Sequence, residues 1–166
     1  KTAAEEHISF FLEDQIAYLN VRQFTIKTGQ RVREDFEQLQ RSANFTITKL
    51  ILDLRQDGGG SVTGALELSD YLISKDTPAK TNVLMKMENS QNTLYYYLGD
   101  HNSVNIGSFS NSTFVVLMDG GSASASEITV NALKDHGIAK VMGTQSYGKG
   151  VAQNYFTLSN GYGLFV

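Results

Sequence analysis

The 166-residue chain has no cysteine, no tryptophan and a single proline, Pro78. Without cysteine there is no disulfide framework, no thiol nucleophile and no sulfur ligand for a metal. No apolar run approaches the roughly 18 residues that would read as a membrane span. The lysine-led start shows no signal-peptide apolar region, so a signal, if the protein is exported, has been removed or lies outside these residues. Basic charge is not in excess either: 14 Lys and Arg face 17 Asp and Glu, for a net charge of −3, which removes the electrostatic case for a nucleic-acid partner. The three histidines, His7, His101 and His136, lie far apart without ligand-spaced neighbours, which argues against a metal site or a histidine triad. His136, just before Gly137, is better explained as a cation at a helix end.

What the chain does have is enough apolar residue, 41%, for one domain with a real core. Strand and helix signals alternate. Residues 16–24 read as a strand, and Thr28-Gly29 leads into a helix with Val32, Phe36, Leu39 and Ala43 on one face. Residues 50–54 form a second strand, and Ser61 caps a helix carrying Val62, Ala65, Leu66, Leu72 and Ile73, which ends near the loop Lys75-Asp76-Thr77-Pro78. Residues 83–87 and 94–98 suggest two more strands in an Asn/Ser-rich stretch that is otherwise poorly patterned. Tyr95-Tyr96-Tyr97 fits half-buried strand packing better than a substrate cleft. The repeated β-α-β order implies an α/β core with a largely parallel sheet flanked by helices.

The chemistry concentrates in two later segments. Phe114-Val115-Val116-Leu117-Met118 is an unbroken apolar run, a buried strand, and it feeds the turn Asp119-Gly120-Gly121 and then Ser122-Ala123-Ser124-Ala125-Ser126-Glu127. Ser124 and Glu127 have capping-box spacing, Ala125, Ile128 and Ala132 make an apolar stripe, and Gly137 supplies a left-handed stop. Ser124 therefore sits at a helix N-terminus, where unpaired amides favour the negative charge of an acyl-transfer intermediate. A serine before a helix is ordinarily only a cap. Lys149 raises the catalytic reading, because a lysine between Gly148 and Gly150 in a non-helical turn is poorly explained as surface decoration. If that turn folds over the serine helix, the ammonium is desolvated, sheds its proton more readily and serves as general base to the serine.

Residues 143–150 also match the phosphate-loop pattern G-x-x-x-x-G-K. The match fails twice: Gly150 stands where a magnesium-binding Ser or Thr belongs, and residues 151–158 alternate like a strand entering the Asn160-Gly161 hairpin rather than opening a helix.

Four blocks in order resemble the C-terminal processing peptidase (tail-specific protease) family. They are Asp53-Leu54-Arg55-Gln56-Asp57-Gly58-Gly59-Gly60, Gly121 to Ile128, Asp135-His136-Gly137, and Tyr147-Gly148-Lys149-Gly150-Val151-Ala152-Gln153. The resemblance implies a crotonase-like core, with Ser124 as nucleophile, Lys149 as base and Gln153 orienting the lysine amine. A strand through residues 149–153 would put Lys149 and Gln153 on one face. By the same resemblance the oxyanion hole combines the backbone N–H of Ala125 with that of Gly59 or Gly60, and Asp135 is a structural or supporting acid. The family usually reads Asn-Pro-Gly-Gly where this chain has Asp57-Gly58-Gly59-Gly60, and a glycine in place of the proline predicts a more flexible, less preorganised loop.

The implied activity is endopeptidase cleavage through a Ser-Lys dyad and an acyl-enzyme, without metal or cofactor. It would act on C-terminal regions of polypeptides, including membrane or cell-envelope proteins, in an extracytoplasmic setting. The expected organisation is a lead-in at residues 1–15 and a catalytic core at 16–166. The sequence is expected to continue beyond Val166, and the family's peptide-docking PDZ domain is not in this chain. Two readings compete: a non-catalytic module for apolar ligands or peptides on the same fold, and a crotonase-class acyl-CoA hydratase or isomerase. The Ser-Lys pair has no task in either.

Overall fold

The computed structural model describes residues 7–11, 15–43, 47–73, 82–99, 109, 112–153 and 155–165. The expected loop at Lys75-Asp76-Thr77-Pro78, His101 and Val166 lie outside them. A five-stranded sheet forms the centre, in the order β1 (His7–Phe11), β2 (Ile16–Val21), β3 (Lys49–Asp53), β6 (Phe114–Met118), β7 (Lys140–Gly143). Strands β2, β3, β6 and β7 run parallel, and β1 pairs antiparallel to β2 at the edge. Part of the expected lead-in is therefore a strand of the main sheet, fixed there by its pairing with β2.

Helices α1 (Thr28–Ser42), α2 (Val62–Leu72) and α3 (Ala125–Asp135) connect the parallel strands. Strand order rises steadily from β2 to β7, so right-handed crossovers place all three helices on the same face. They form one layer, with α1 against α2 and α2 against α3. The face of the sheet beneath them is apolar and closed: Leu19, Leu50, Leu52, Phe114 and Val116 are at most 1% exposed. Each such side chain contributes about 1.5–3 kcal/mol by leaving water. Burial alternates along β2, as its period of two requires, and leaves Tyr18 half-buried on the other face, stacked on Phe10 with centroids 4.6 Å apart.

Helix ends follow the expected signals. Ser61 Oγ accepts the Gly64 amide at 3.3 Å. At the end of α3, Gly137 takes φ +71°, Ile138 N–H reaches Leu133 O at 3.2 Å and Gly137 N–H reaches Lys134 O at 2.9 Å, which together make a Schellman stop. Strands β4 (Val83–Glu88) and β5 (Leu94–Leu98) pair only with each other, outside the main sheet. Tyr95 and Tyr96 on β5 are 44% and 55% exposed, so the expected half-burial holds for Tyr97 alone. The Asn160-Gly161 hairpin forms between β8 (Tyr155–Thr157) and β9 (Gly163–Phe165). The expected strand over 151–158 is shorter than its alternation suggests, because residues 151–153 are exposed and irregular.

Candidate active site

Strand β6 delivers the serine segment through a turn held by its own polar groups and by residues 54–57 at the end of β3. Asp119 Oδ1 accepts the Gly121 and Gln56 amides, each at 3.0 Å, and Oδ2 accepts Gln56 Nε2 at 2.8 Å. Ser122 Oγ donates to Leu54 O at 2.8 Å and accepts the Asp119 amide at 2.9 Å, while Ser126 Oγ donates to Asp57 O at 2.9 Å. Both hydroxyls are fully buried and act as stitches between β6, α3 and the end of β3. Ser124 differs. It is only half-buried, lines a groove, and has φ 54° and ψ −113°, a conformation that non-glycine residues rarely adopt. A strained strand-to-helix turn of this kind pushes a nucleophilic side chain out of the chain's path.

The glycine loop packs directly on this turn. Gly59 has φ +94°, and a Cβ there would fall 2.5 Å from Ala123 O and 2.8 Å from Ala125 N, so no other residue fits. Hydrogen bonds hold the loop on both sides of Gly58, the glycine at the family's proline position. Phe24 N–H donates to Gly59 O at 2.9 Å, Ser61 N–H to Phe24 O at 2.9 Å, and Ala123 N–H to Asp57 O at 3.0 Å. Asp57 is 0% exposed, and its Oδ1 accepts the Gly59 amide at 2.8 Å. Burial pushes its carboxyl up to about 6, against the opposing pull of the Gly59 amide and Ser126 hydroxyl. Ala125 opens α3, and its amide, like that of Gly60, donates no hydrogen bond among the described residues.

At the end of β3 a second cluster fixes the approach to this loop. Arg55 grips Asp53 in a fork, with Nε to Oδ1 at 2.9 Å and Nη2 to Oδ2 at 2.6 Å, and Tyr18 OH donates to Oδ2 at 2.5 Å. Burial works against the charged Asp53, but the Arg55 and Tyr18 donors outweigh it and hold the carboxyl below its ordinary value.

The segment carrying Lys149 has no regular structure and is tied to the serine turn chiefly by one side chain, beside a backbone bond from Tyr147 N–H to Ser122 O at 3.0 Å. Glu127 accepts the Ser146 hydroxyl at 2.7 Å and the Gly148 amide at 2.6 Å on Oε1, and the Ser124 and Lys149 amides at 2.8 and 2.9 Å on Oε2. Burial tends to raise this carboxyl, yet the four donors prevail and lower it. The backbones of Ser124 and Lys149 thus share one carboxylate oxygen. Spacing alone marks Glu127 only as a helix cap. Its further donors sit about 20 residues on, and the glycines around Lys149, which free backbone amides to converge on an acceptor, are the one local hint.

Ser124 and Lys149 line the same groove, about 740 Å³ between β4, α3 and residues 148–152, with Val62, Met85, Met87 and Ile128 as apolar lining. The Lys149 side chain is exposed rather than desolvated, and among the described residues no hydrogen bond joins its amine to the Ser124 hydroxyl. Gln153 is exposed and is not part of the groove lining; without a strand at 149–153, nothing aligns it with Lys149. Asp135 is exposed in the last turn of α3 and lines the groove. His136 is buried at the helix end, where Nδ1 lies 2.8 Å from Ala132 O, outside the groove.

A carboxy-terminal-processing protease of Bartonella bacilliformis is 33% identical over 152 residues, which covers 91% of this chain and 33% of that protein. The chloroplastic C-terminal processing peptidase of Tetradesmus obliquus is 29% identical over 154 residues, 93% of this chain and 30% of that protein. The chain thus spans about a third of the length of these relatives. Among solved structures, a photosystem II D1 C-terminal processing protease superimposes with a TM-score of 0.76 at 24% identity, over 100% of this chain and 43% of that one. A lipoprotein from Streptococcus agalactiae gives 0.70 at 14% identity, over 98% of this chain and 57% of that one, a likeness of fold alone. The model of peptidase family S41 matches residues 15–166, and the chain belongs to that family.

Proposed function

We propose that residues 16–166 form the catalytic core of a serine-type endopeptidase working through a Ser124-Lys149 dyad. One observation carries this reading: of three neighbouring serines, two are buried stitches and only Ser124 is presented at the groove, on a strained turn bound through Glu127 to the segment of Lys149. Ser124 Oγ attacks the scissile carbonyl carbon and its proton passes to Lys149 Nζ. The oxyanion takes hydrogen bonds from the Ala125 amide and from Gly60 or Gly59. As the intermediate collapses, the C–N bond breaks and the amine leaves with the proton from lysine. Water, deprotonated by Lys149, then hydrolyses the acyl-enzyme and restores Ser124. A peptide lying in the groove covers the lysine segment and strips water from its amine, which favours the neutral form that accepts a proton. Gln153, in this reading, meets the lysine amine once residues 149–153 are drawn down over the substrate.

Polypeptide C-terminal regions are the substrates in this reading, in line with the relatives' names, with membrane and cell-envelope proteins among them as the sequence resemblance implies. An extracytoplasmic setting belongs to the same reading, as the sequence resemblance implies; of the relatives named above, the Tetradesmus obliquus protein is called chloroplastic. A non-catalytic peptide-binding module is the second reading, favoured by the missing Ser124-Lys149 hydrogen bond. Peptide hydrolysis by the wild type and three alanine variants separates them. Ser124→Ala should lose at least about 10³-fold in turnover, while Ser122→Ala and Ser126→Ala stay partly active. Unchanged turnover in Ser124→Ala would overturn the dyad, and no turnover in the wild type alongside retained peptide binding would favour the second reading.

A further inference from the structure

Among the described residues, Asp57 is the one fully buried carboxyl beside the serine turn that the mechanism above does not use. It is 0% exposed; Oδ1 accepts the Gly59 amide at 2.8 Å, and Oδ2 has no hydrogen-bond partner among the described residues. Its own backbone carbonyl holds the Ala123 amide and the Ser126 hydroxyl, so it is anchored on both sides of the nucleophile. The glycine it grips is in contact with that nucleophile: a Cβ on Gly59 would lie 2.9 Å from Ser124 Cβ.

We propose that Asp57 is a positioning residue whose carboxyl sets the oxyanion-stabilising power of the glycine loop. The inference rests on the peptidase reading. In the ionised form the carboxylate is a strong acceptor, keeps the Gly59 amide turned to itself, and places a buried negative charge beside the site where a second one develops. In the protonated form the acceptor weakens, the Gly59 N–H is left more available to the substrate oxygen, and the opposing charge is gone. Charge nearby does not override this. On its own strand end Asp53 and Arg55 pair with each other, Asp119 is held by Gln56 and Gly121, and Glu127 by Ser124 and the lysine segment. Arg22 and Lys27, in the segment bridged to the loop, are exposed. Burial, the Gly59 amide and the Ser126 hydroxyl govern its ionisation, with no charged partner among the causes, and place it at about 6, within reach of ordinary pH change.

Two measurements on the full chain test this, with Asp57→Asn as the neutral isostere. The Gly59 amide resonance should titrate in the wild type and not in Asp57→Asn. The rate of fluorophosphonate labelling should be similar in the two proteins at pH 5 and about tenfold higher in Asp57→Asn at pH 8, as expected for removing one buried like charge. A Gly59 resonance indifferent to pH in the wild type, or parallel pH-rate profiles, overturns the proposal. If neither protein is labelled at any pH, the peptidase reading is what fails, and the Gly59 titration alone then decides whether Asp57 holds the loop.

Discussion

The serine turn and the lysine segment face each other across one groove and are built in opposite ways. Around Ser124, nearly every backbone and hydroxyl group has a fixed partner, Ser122 and Ser126 are buried, and the chain is held in a strained conformation. Around Lys149, residues 144–153 are irregular and largely exposed, tied down chiefly by Glu127 and by Tyr147 N–H to Ser122 O at 3.0 Å. On the proposed mechanism, the densely bonded side carries the nucleophile and the oxyanion amides, where charge develops and geometry must be set in advance. The proposed base is left on a segment that substrate can press into place.

Lys149→Met removes the base and leaves the serine turn untouched, so it gives the largest effect that separates the two halves. Turnover should fall by about 10²–10⁴-fold with little change in thermal midpoint, because the side chain is exposed and makes no side-chain hydrogen bond. Kinetics and a melt on the same preparation read both. Retained turnover, or a pH profile governed by His136, would move the base elsewhere.

Glu127→Gln cuts the link between the halves. Two of the four donors would face an amide NH₂ in place of a carboxylate oxygen, which costs about 1–3 kcal/mol. A drop in thermal midpoint should accompany a roughly 10- to 100-fold loss of turnover, the equivalent of that energy. If stability falls while turnover holds, Glu127 is a helix cap and nothing more.

The third effect lies wholly on the rigid side. The folded-state value of Asp57, about 6, stands above the ordinary 3.8. Its protonated form is thus favoured by folding, and its contribution is complete below about 4 and lost as pH rises through about 6. Relative to Asp57→Asn, the wild type should lose on the order of 3 kcal/mol of stability between pH 4 and pH 7. Denaturant midpoints across that range check it, and a constant difference would mean that Asp57 stays charged in the fold.

Sequence legibility follows the same division. The strand, glycine turn, cap and stop that make β6 and α3 are local signals within residues 114–137, and they suffice there because apolar patterning, turn glycines and caps mark element types without reference to distant partners. Residues 151–153 were misread because an exposed loop can carry the alternation of a strand without a neighbour to pair with. His7–Phe11 has no strand signal strong enough to stand alone, and β2 supplies the pairing. The second role of Glu127 and the burial of Asp57 depend on residues about 20 and nearly 70 positions away. Spacing cannot show either.

The most direct test of the central claim is to map a fluorophosphonate adduct by mass spectrometry in the wild type and in Lys149→Met. In that reaction Ser Oγ bonds to phosphorus, fluoride leaves, and the proton goes to the base. A preorganised nucleophile served by a lysine from the opposite segment predicts one adduct, on Ser124, in the wild type and almost none in Lys149→Met. An adduct on Ser122 or Ser126, or equal labelling of Ser124 in both proteins, would contradict it.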